Sequence, residues 1–328
     1  MLKIGLFGAG HLGKFHLQQW QTVPGAELIG FYDPLDDTAA VAAEYGVPRY
    51  DDADALLSAV GAVDIVTPTP SHHPLAMQAL RAGKHLFIEK PLAQTLEEAR
   101  EIVSLVEETG LCCAVGHVER YNPALLALGD APVEPLFIEA HRLAQFNPRG
   151  TDVSVILDLM IHDLDIVLHL VKSPVRSISA SGVGVVSETA DIANARIEFE
   201  NGCVANLTAS RISLKKMRKM RLFQRDAYLG IDFLEKKTEV VRLGEKEGSG
   251  GMRFPIETAT GEEKIISVHT PEVPVVNAIH AELADFVLAI ETGRQPQVSV
   301  QDGYRALEIA HQILEHMDAH RVAASLKK

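Results

Sequence analysis

Cysteine, tryptophan and positive charge are scarce in this chain of 328 residues. The three cysteines, Cys112, Cys113 and Cys203, have neither the spacing of a zinc site nor a Cys-x-x-Cys motif, so we expect buried, reduced thiols. The formal net charge of −13 argues against nucleic acid and anionic membrane surfaces as general partners. No apolar run approaches the length of a membrane span, and the N-terminal run is too short for a signal peptide. Together these absences favour a cytoplasmic globular protein.

The most informative motif lies near the start of the chain. Residues 8–13 read Gly-Ala-Gly-His-Leu-Gly, and this Gly-x-Gly-x-x-Gly motif follows a strand-like run and precedes a helix-like segment. Gly8 permits a tight turn, Gly10 lets a pyrophosphate approach the backbone, and Gly13 lets the helix pack closely on the strand. The helix begins with free N–H groups and the positive end of its dipole, which attract phosphates. The motif predicts a dinucleotide-binding Rossmann domain.

A second strand-like run, residues 26–32, ends at Asp33, which follows Gly13 by about 20 residues. This is the spacing expected of the acid that hydrogen-bonds the ribose hydroxyls of a dinucleotide. No arginine or lysine follows Asp33 closely, so its carboxylate would repel the 2′-phosphate of NADP, and NAD is favoured as the cofactor. The alternative is that Asp33 only caps a helix or a turn before Pro34.

Two domains are expected at this length. Residues 1–118 alternate strand-like and helix-like segments, which is typical of an α/β domain with a doubly wound parallel sheet. After a long helix near residues 153–172, most segments are strand-like, so we predict an α+β substrate-binding domain at 119–328 with a large, mostly antiparallel open sheet. Two amphipathic helices near residues 274–291 and 301–320 close the chain and could pack back on the first domain.

Three further features bear on assembly and partners. An open sheet must bury its outer face, so we predict a homodimer or homotetramer formed through the C-terminal sheet. Residues 211–221 form the only dense basic run, which we interpret as charge that protects a strand edge from pairing, with nucleic-acid binding as the alternative. Residues 245–251 are charged and rich in glycine, and they predict a mobile hairpin loop.

Lys90 directly follows a strand-like run that ends at Glu89, and it precedes Pro91. Ligands of a parallel sheet bind at the carboxyl ends of the strands, so Lys90 is expected above the cofactor site. There an ammonium group can hold a substrate hydroxyl and stabilise developing alkoxide charge. Glu89 either supports Lys90 or only caps the strand. Most lysines are solvated surface groups, and the position of Lys90 at the carboxyl end of a strand distinguishes it from them.

The segment 156–170 is apolar nearly all round, except for a polar stripe formed by Asp158, His162, Asp165 and His169. Their spacing of i, i+4, i+7 and i+11 predicts one helix face. A buried histidine beside a carboxylate is a candidate general base, because the acid fixes its tautomer and raises its basicity. We therefore predict that His162 is the base, although a satisfied core histidine is the alternative. There is no HExxH or comparable ligand set, so we propose no metal.

Taken together, the motifs resemble the glucose–fructose oxidoreductase / inositol dehydrogenase (Gfo/Idh/MocA) family over essentially the whole chain. The matching segments are residues 8–13, Thr67-Pro68 with His72, Gly83-Lys84-His85, Glu89-Lys90-Pro91, residues 116–123 and residues 158–165. The resemblance implies a dehydrogenase of a sugar or cyclitol that uses NAD or NADP. It implies that Lys90, Asp158 and His162 form the catalytic group, in which His162 takes the hydroxyl proton while hydride leaves the same carbon for the nicotinamide.

The motifs and the resemblance together give two sets of candidate residues. Those expected to bind the cofactor are Gly8, Gly10, His11, Leu12, Gly13, Asp33, Thr67, Pro68, His72, Glu89 and Lys90. Those expected to bind the substrate are Lys90, Arg120, Tyr121, Arg142, Arg149, Asp158 and His162.

The segments around Arg142 and Arg149 look most like the branch of the family that oxidises UDP-N-acetylglucosamine at its 3-hydroxyl. A diphosphate needs arginines for bidentate contacts, although surface ion pairing is the alternative for both residues. Two other functions stay open: a dehydrogenase of a free sugar or inositol, and a non-catalytic NAD-binding sensor. The complete set of Lys90, Asp158 and His162 argues against the sensor, because a binding module needs no base.

Overall fold

The computed structural model describes residues 1–35, 38–129, 132–147, 153–244, 252–257 and 261–325, without the side chains of residue 39 and residues 319–325. The chain divides into two compact units. The first comprises Met1–Tyr121 and Val276–Glu308, and the second comprises Asn122–Val275 and Ile309–Lys328. The predicted hairpin loop at 245–251 lies outside the described residues.

The described regular elements alternate in the first third of the chain and are mostly strands after that. The strands are β1 (Leu2–Phe7), β2 (Ala26–Tyr32), β3 (Arg49–Tyr50), β4 (Ala62–Ile65), β5 (His85–Glu89), β6 (Cys113–Gly116), β7 (Phe137–Leu143), β8 (Val175–Val183), β9 (Ile192–Phe199), β10 (Val204–Ser210), β11 (Met217–Phe223), β12 (Ala227–Asp232), β13 (Lys237–Gly244), β14 (Met252–Glu257) and β15 (Glu263–His269). The helices are α1 (His11–Trp20), α2 (Ala39–Tyr45), α3 (Ala53–Ala59), α4 (His72–Arg81), α5 (Leu96–Thr109), α6 (Pro123–Leu126), α7 (Ile161–Leu170), α8 (Ala278–Thr292) and α9 (Val300–Ser325).

The first unit is built on a parallel sheet of six strands in the order β3-β2-β1-β4-β5-β6. Strands β4 and β6 are buried at every position, as expected for a sheet covered on both faces. The strand order reverses between β1 and β4, and the crevice outside the carboxyl ends of strands at such a point is where doubly wound sheets bind ligands. The predicted α/β fold class is confirmed.

The second unit is built on nine strands in the order β14-β15-β13-β12-β11-β7-β10-β9-β8. Every neighbouring pair is antiparallel except β7 and β10, which confirms the predicted, mostly antiparallel sheet. Alternate residues of β7 are buried, including Ile138 and Ala140, and they share a hydrophobic core with Leu164 and Val167 of α7. Helix α7 therefore packs on one face of this sheet.

The basic run 211–221 overlaps β11, which lies between β12 and β7 in the interior of the sheet. The interpretation that it protects a strand edge is therefore wrong, because β11 has a hydrogen-bonded neighbour on each side. Within β11, Met220 and Leu222 are buried. Lys219 and Arg221 are exposed and form ion pairs with acidic residues of the neighbouring strands.

The long helix predicted at 153–172 is not uniform. It begins as a π-helical turn, Ile156–Met160, and continues as α7. A π-helical turn carries more residues per turn than an α-helix, so the spacing rule used for the polar stripe does not hold across it. The sequence pattern also does not reveal strands β7 and β12. Nor does it reveal strands β14 and β15, whose exposed and half-buried residues weaken the hydrophobic signal.

Candidate active site

The glycine loop at the start of α1 has the geometry that a pyrophosphate requires. Gly8 has a φ of +96°, and a Cβ there would lie 2.8 Å from the carbonyl oxygen of Val66. A Cβ on Gly13 would lie 2.0 Å from the carbonyl oxygen of Gly8, so the helix can follow this strand so closely only with glycine at that position. A Cβ on Gly10 would meet nothing within 4 Å, so the space in front of the helix N-terminus is open. The loop fits a bound dinucleotide.

Asp33 lies at the end of β2 and is 6% exposed. Its Oδ2 accepts a hydrogen bond from the backbone N–H of Ala9 at 2.8 Å, and its Oδ1 accepts one from Leu35 at 2.9 Å. The carboxylate thus holds the glycine loop against β2, and each of its oxygens retains a lone pair for a ribose hydroxyl. The guanidinium of Arg49 donates to the backbone oxygen of Asp33 at 3.3 Å. Arg49 lies near Asp33 because β3 pairs with β2, and not because the two residues are close in sequence.

His11 and Leu12 occupy the first turn of α1 and are exposed. The ring of His11 packs edge-on against Phe15, with 5.3 Å between ring centroids. Thr67 and Pro68 follow β4, and the hydroxyl of Thr67 is buried without a hydrogen-bond partner among the described residues. A buried hydroxyl of this kind fits a site that a polar ligand completes. The roles of these residues in cofactor binding stay predictions.

His72 connects two of the predicted cofactor loops. Its Nδ1 lies 2.9 Å from the carbonyl oxygen of Pro91, and its Nε2 lies 2.9 Å from that of Thr67. Burial lowers the pKa of His72, so the ring is neutral near pH 7 and has one proton to donate to these two carbonyls. The ring thus lies between the loop after β4 and the loop after β5 and donates a hydrogen bond to one of them.

Lys90 is half-buried at the end of β5. Its backbone N–H donates to Oε2 of Glu89 at 3.1 Å, and the peptide bond to Pro91 is cis. Glu89 is 6% exposed, so its carboxylate lies in the interior of the unit. Lys90 is thus the more exposed residue of this pair, and its contact with a ligand stays a prediction.

Arg120 and Tyr121, predicted to bind substrate, are 6% and 5% exposed. The hydroxyl of Tyr121 donates to Oδ2 of Asp285 in α8 at 2.9 Å, and burial followed by the negative charge of Asp285 raises the pKa of Tyr121 well above its usual range. Arg120 lies 3.7 Å from Oδ1 of Asp302 in α9. Both side chains fasten the turn Val118–Tyr121 to the C-terminal helices of the first unit, and a contact with substrate stays a prediction.

In the second unit, Asp158 lies in the π-helical turn and His162 in the first turn of α7. Both side chains are half-buried, whereas Asp165 is buried and His169 is exposed. The four residues of the predicted polar stripe therefore differ in their exposure to solvent. π-Helical turns within α-helices are frequent at functional sites, and here the turn carries one predicted catalytic residue and directly precedes another.

Arg142 and Asp163 form a buried ion pair that sequence reasoning missed. The Nε of Arg142 donates to Oδ2 of Asp163 at 3.0 Å and its Nη2 donates to Oδ1 at 2.8 Å, while the two side chains are 2% and 5% exposed. Such a bidentate pair is strong and fixes the geometry of both groups. Two donors of Arg142 are thus occupied by Asp163, and its predicted contact with a diphosphate stays a prediction. Arg149 lies outside the described residues.

A cavity of about 290 Å³ adjoins Asp158 within the second unit. Among the described residues, its charged lining is mainly basic and comprises Arg142, Arg211, Lys216, Arg218 and Asp158. Arg211 is buried and lies 3.9 Å from Oδ1 of Asp191, whereas Lys216 and Arg218 are exposed. A concave, positively charged site beside a candidate catalytic carboxylate can bind an anionic group of a substrate.

Residues 2–117 match the family model described as an oxidoreductase family with an NAD-binding Rossmann fold, and residues 136–227 match the GFO/IDH/MocA C-terminal domain. The chain belongs to the Gfo/Idh/MocA oxidoreductase family. It is 37% identical to UDP-N-acetylglucosamine 3-dehydrogenase of Acidithiobacillus ferrooxidans over 97% of this chain and 98% of that protein. A solved structure of that enzyme has a TM-score of 0.86 over 97% of this chain and 98% of the solved chain, at 36% identity.

The chain is also 32% identical to the NAD-dependent scyllo-inositol 2-dehydrogenase of Bacillus subtilis, over 65% of this chain and 68% of that protein. These similarities confirm the predicted family, the dehydrogenase class and NAD as the cofactor. In the parts of the chain that the structure describes, no helix combines the length and the apolar character that crossing a bilayer requires.

Proposed function

We propose that this protein oxidises the 3-hydroxyl of UDP-N-acetylglucosamine to a ketone with NAD as the oxidant. The observation that carries the proposal is the 37% identity with a UDP-N-acetylglucosamine 3-dehydrogenase over nearly the full length of both chains. The basic cavity beside Asp158 supports a nucleotide sugar over a free sugar or inositol, because a diphosphate brings negative charge that neutral polyols lack.

The chain's own residues account for the steps as follows. NAD, when bound to the glycine loop and Asp33, supplies the hydride acceptor. His162 accepts the proton of the reacting hydroxyl, and Asp158 orients the imidazole. Lys90 donates a hydrogen bond to the same oxygen and stabilises its developing negative charge. In the reverse direction His162 returns the proton to the oxygen.

The oligomeric state and location belong to the same proposal. A homodimer or homotetramer through the second sheet is supported by the side chains on one of its faces, where the rings of Phe137, Phe223 and Tyr228 form a row across three neighbouring strands. A cytoplasmic location is supported by the cysteines, which are all free, with Cys113 and Cys203 buried and Cys112 half-buried.

A thermal-shift panel tests the substrate class before any turnover is measured. The purified protein with NAD is combined separately with UDP-N-acetylglucosamine, UDP, N-acetylglucosamine and scyllo-inositol. We expect stabilisation by the two uridine nucleotides and none by the neutral polyols at equal concentration. Stabilisation by scyllo-inositol and by none of the other three compounds would favour an inositol dehydrogenase. Stabilisation by none of the four compounds beyond that given by NAD would favour the sensor.

Two adjacent lysines provide a matched test of the cavity. Lys216 lines it, whereas its exposed neighbour Lys215 does not. Lys216→Ala should weaken UDP binding by about 10-fold, the effect of one charge-assisted hydrogen bond, while Lys215→Ala should leave the dissociation constant unchanged. Equal effects of the two substitutions in titration calorimetry would show that the cavity does not bind the diphosphate.

A further inference from the structure

Four ionisable side chains from four different elements meet in the interior of the first unit. His16 comes from α1, Asp64 from β4, Glu89 from β5 and Glu282 from α8, and their exposed fractions are 0%, 0%, 6% and 1%. The ring of Phe87 packs against His16, with 5.8 Å between ring centroids. Charged groups in such surroundings are costly unless they pair with one another, so the arrangement needs a physical reason.

His16 lies between two carboxylates. Its Nδ1 is 2.9 Å from Oδ2 of Asp64, which also accepts a hydrogen bond from Nε1 of Trp20 at 2.6 Å. Its Nε2 is 3.2 Å from Oε1 of Glu89, at an angle that makes this an ion-pair contact and not a well-directed hydrogen bond. Burial lowers the pKa of His16, but the carboxylates of Asp64 and Glu89 outweigh burial and raise it well above its usual value. His16 is therefore an imidazolium at neutral pH.

Glu282 has neither of its carboxyl oxygens hydrogen-bonded within the described part of the chain. Burial, followed by the negative charge of Glu89, raises the pKa of Glu282 well above its usual value, so this group is a neutral acid near pH 7. The imidazolium of His16 consequently lies between the carboxyl groups of Asp64 and Glu89, with the neutral acid of Glu282 beside them. Among the described residues, these are the ionisable groups that face His16.

Glu89 lies between His16 and the backbone of Lys90. One of its oxygens faces His16, and the other accepts the backbone N–H of Lys90 at 3.1 Å. Gly116 is paired with Glu89 in the neighbouring strand β6, and a Cβ there would lie 2.6 Å from Oε1 of Glu89. The absence of a side chain at Gly116 therefore leaves the space that the carboxylate occupies.

We propose that His16 is a positioning residue for Lys90. Through Glu89 it ties the backbone at the end of β5 to α1, the helix that begins at the glycine loop and includes Gly13. The dinucleotide loop and Lys90 are then held in one fixed relation by a buried charge pair. The inference rests on the proposed function only in assigning Lys90 to the substrate oxygen.

The direct test measures the environment of Lys90 without cofactor or substrate. His16→Gln keeps an amide donor but removes the positive charge. We expect the rate at which an amine-reactive reagent labels Lys90, read by mass spectrometry, to change several-fold, while labelling of the distant, exposed Lys3 does not. The turnover number should fall by about 10- to 100-fold at temperatures well below the melting temperature, because small displacements of a catalytic group have effects of this size.

Two further variants keep the test informative if His16→Gln folds poorly. Gly116→Ala retains all four ionisable groups but displaces the carboxylate of Glu89, so it should alter Lys90 labelling in the same way as His16→Gln. Glu282→Gln is the matched control, because it replaces a neutral acid by a neutral amide. It should leave Lys90 labelling and the turnover number unchanged.

The pH dependence of unfolding gives an independent readout. The pKa of His16 is higher in the folded chain than its unfolded value of about 6.5, so the stabilisation is complete below that pH and is lost as pH rises through the folded pKa. The raised pKa of Glu282 acts in the same direction, and Glu282→Gln removes that contribution. His16→Gln should therefore show a smaller decline of unfolding free energy above about pH 6.5 than the unaltered chain.

Three outcomes would overturn the inference. The first is a lower melting temperature in His16→Gln with unchanged Lys90 labelling and turnover number, which would make the cluster merely structural. The second is a change of Lys90 labelling in Glu282→Gln equal to that in His16→Gln. The third is a stoichiometric metal ion in the purified protein, because an ion would replace the imidazolium charge between the carboxylates. The melting temperature, the Lys90 labelling and the metal content can all be read even if the substrate is not a nucleotide sugar.

Discussion

His162 is the single side chain on which the proposed chemistry depends most, since hydride loss from a secondary alcohol requires a base for the hydroxyl proton. His162→Ala should lower the turnover number by about two to four orders of magnitude, the usual contribution of a positioned acid–base group. The dissociation constant of NAD should stay unchanged, because His162 belongs to the second unit. Steady-state NADH formation and NAD titration measure the two effects. Near-normal turnover would point to a different base, with neutral Lys90 as the next candidate.

Asp33 should determine the preference for NAD over NADP. Asp33→Asn keeps an oxygen that can accept from the N–H of Ala9, so the glycine loop should stay in place while the negative charge is lost. We expect the NADP dissociation constant to approach that of NAD, because the repulsion of the 2′-phosphate is removed and the guanidinium of Arg49 lies nearby. Fluorescence titration with both cofactors measures the difference between their dissociation constants, and an unchanged difference would contradict this role of Asp33.

At the scale of elements, two glycines between β1 and the first turn of α1 have different roles, one in binding the cofactor and one in packing the helix on the strand. Gly10 faces open space, so Gly10→Ala should leave the melting temperature unchanged and weaken NAD binding by placing a methyl group where the pyrophosphate approaches. Gly13→Ala should lower the melting temperature, since its Cβ would meet the carbonyl oxygen of Gly8. The same effect of both substitutions on stability would contradict this division.

The elements of the first unit could be predicted from the sequence because their signals are local. The glycine motif, the aspartate at the end of β2 and the lysine after β5 all lie where a parallel sheet places them. The second unit was predicted in class but not in strand count or order, since a strand such as β7 gains its place by pairing with β10 and β11, which are distant from it in sequence. Pairing of this kind has no signature in a single strand's pattern.

The contacts in the candidate sites that the sequence did not reveal also join residues that are distant in sequence. The ion pair of Arg142 with Asp163 joins a strand to a helix, and the cluster around His16 draws on α1, β4, β5 and α8. The π-helical turn before α7 also has no local signal, because its residues read as an ordinary apolar helix. A histidine three positions after the glycine loop indicates nothing about burial until the other three elements are placed.

At the scale of the whole molecule, the sheet of the second unit should form the contact between subunits. The row formed by Phe137, Phe223 and Tyr228 lies on half-buried positions of neighbouring strands, a pattern that a second copy could cover. We expect a dimer or tetramer by light scattering at micromolar concentration. Tyr228→Asp should shift the population toward the monomer without changing NAD affinity, and a monomeric unaltered protein would contradict the prediction.

The proposed function makes the chain an NAD-dependent dehydrogenase of a nucleotide sugar. Incubation of the purified protein with NAD and UDP-N-acetylglucosamine, followed by NADH absorbance and mass spectrometry of the sugar product, tests it most directly. We expect NADH together with a product lighter by two hydrogens, with the carbonyl at the 3-position, and a much slower reaction with N-acetylglucosamine or inositol. Faster NADH formation from inositol than from UDP-N-acetylglucosamine would contradict it.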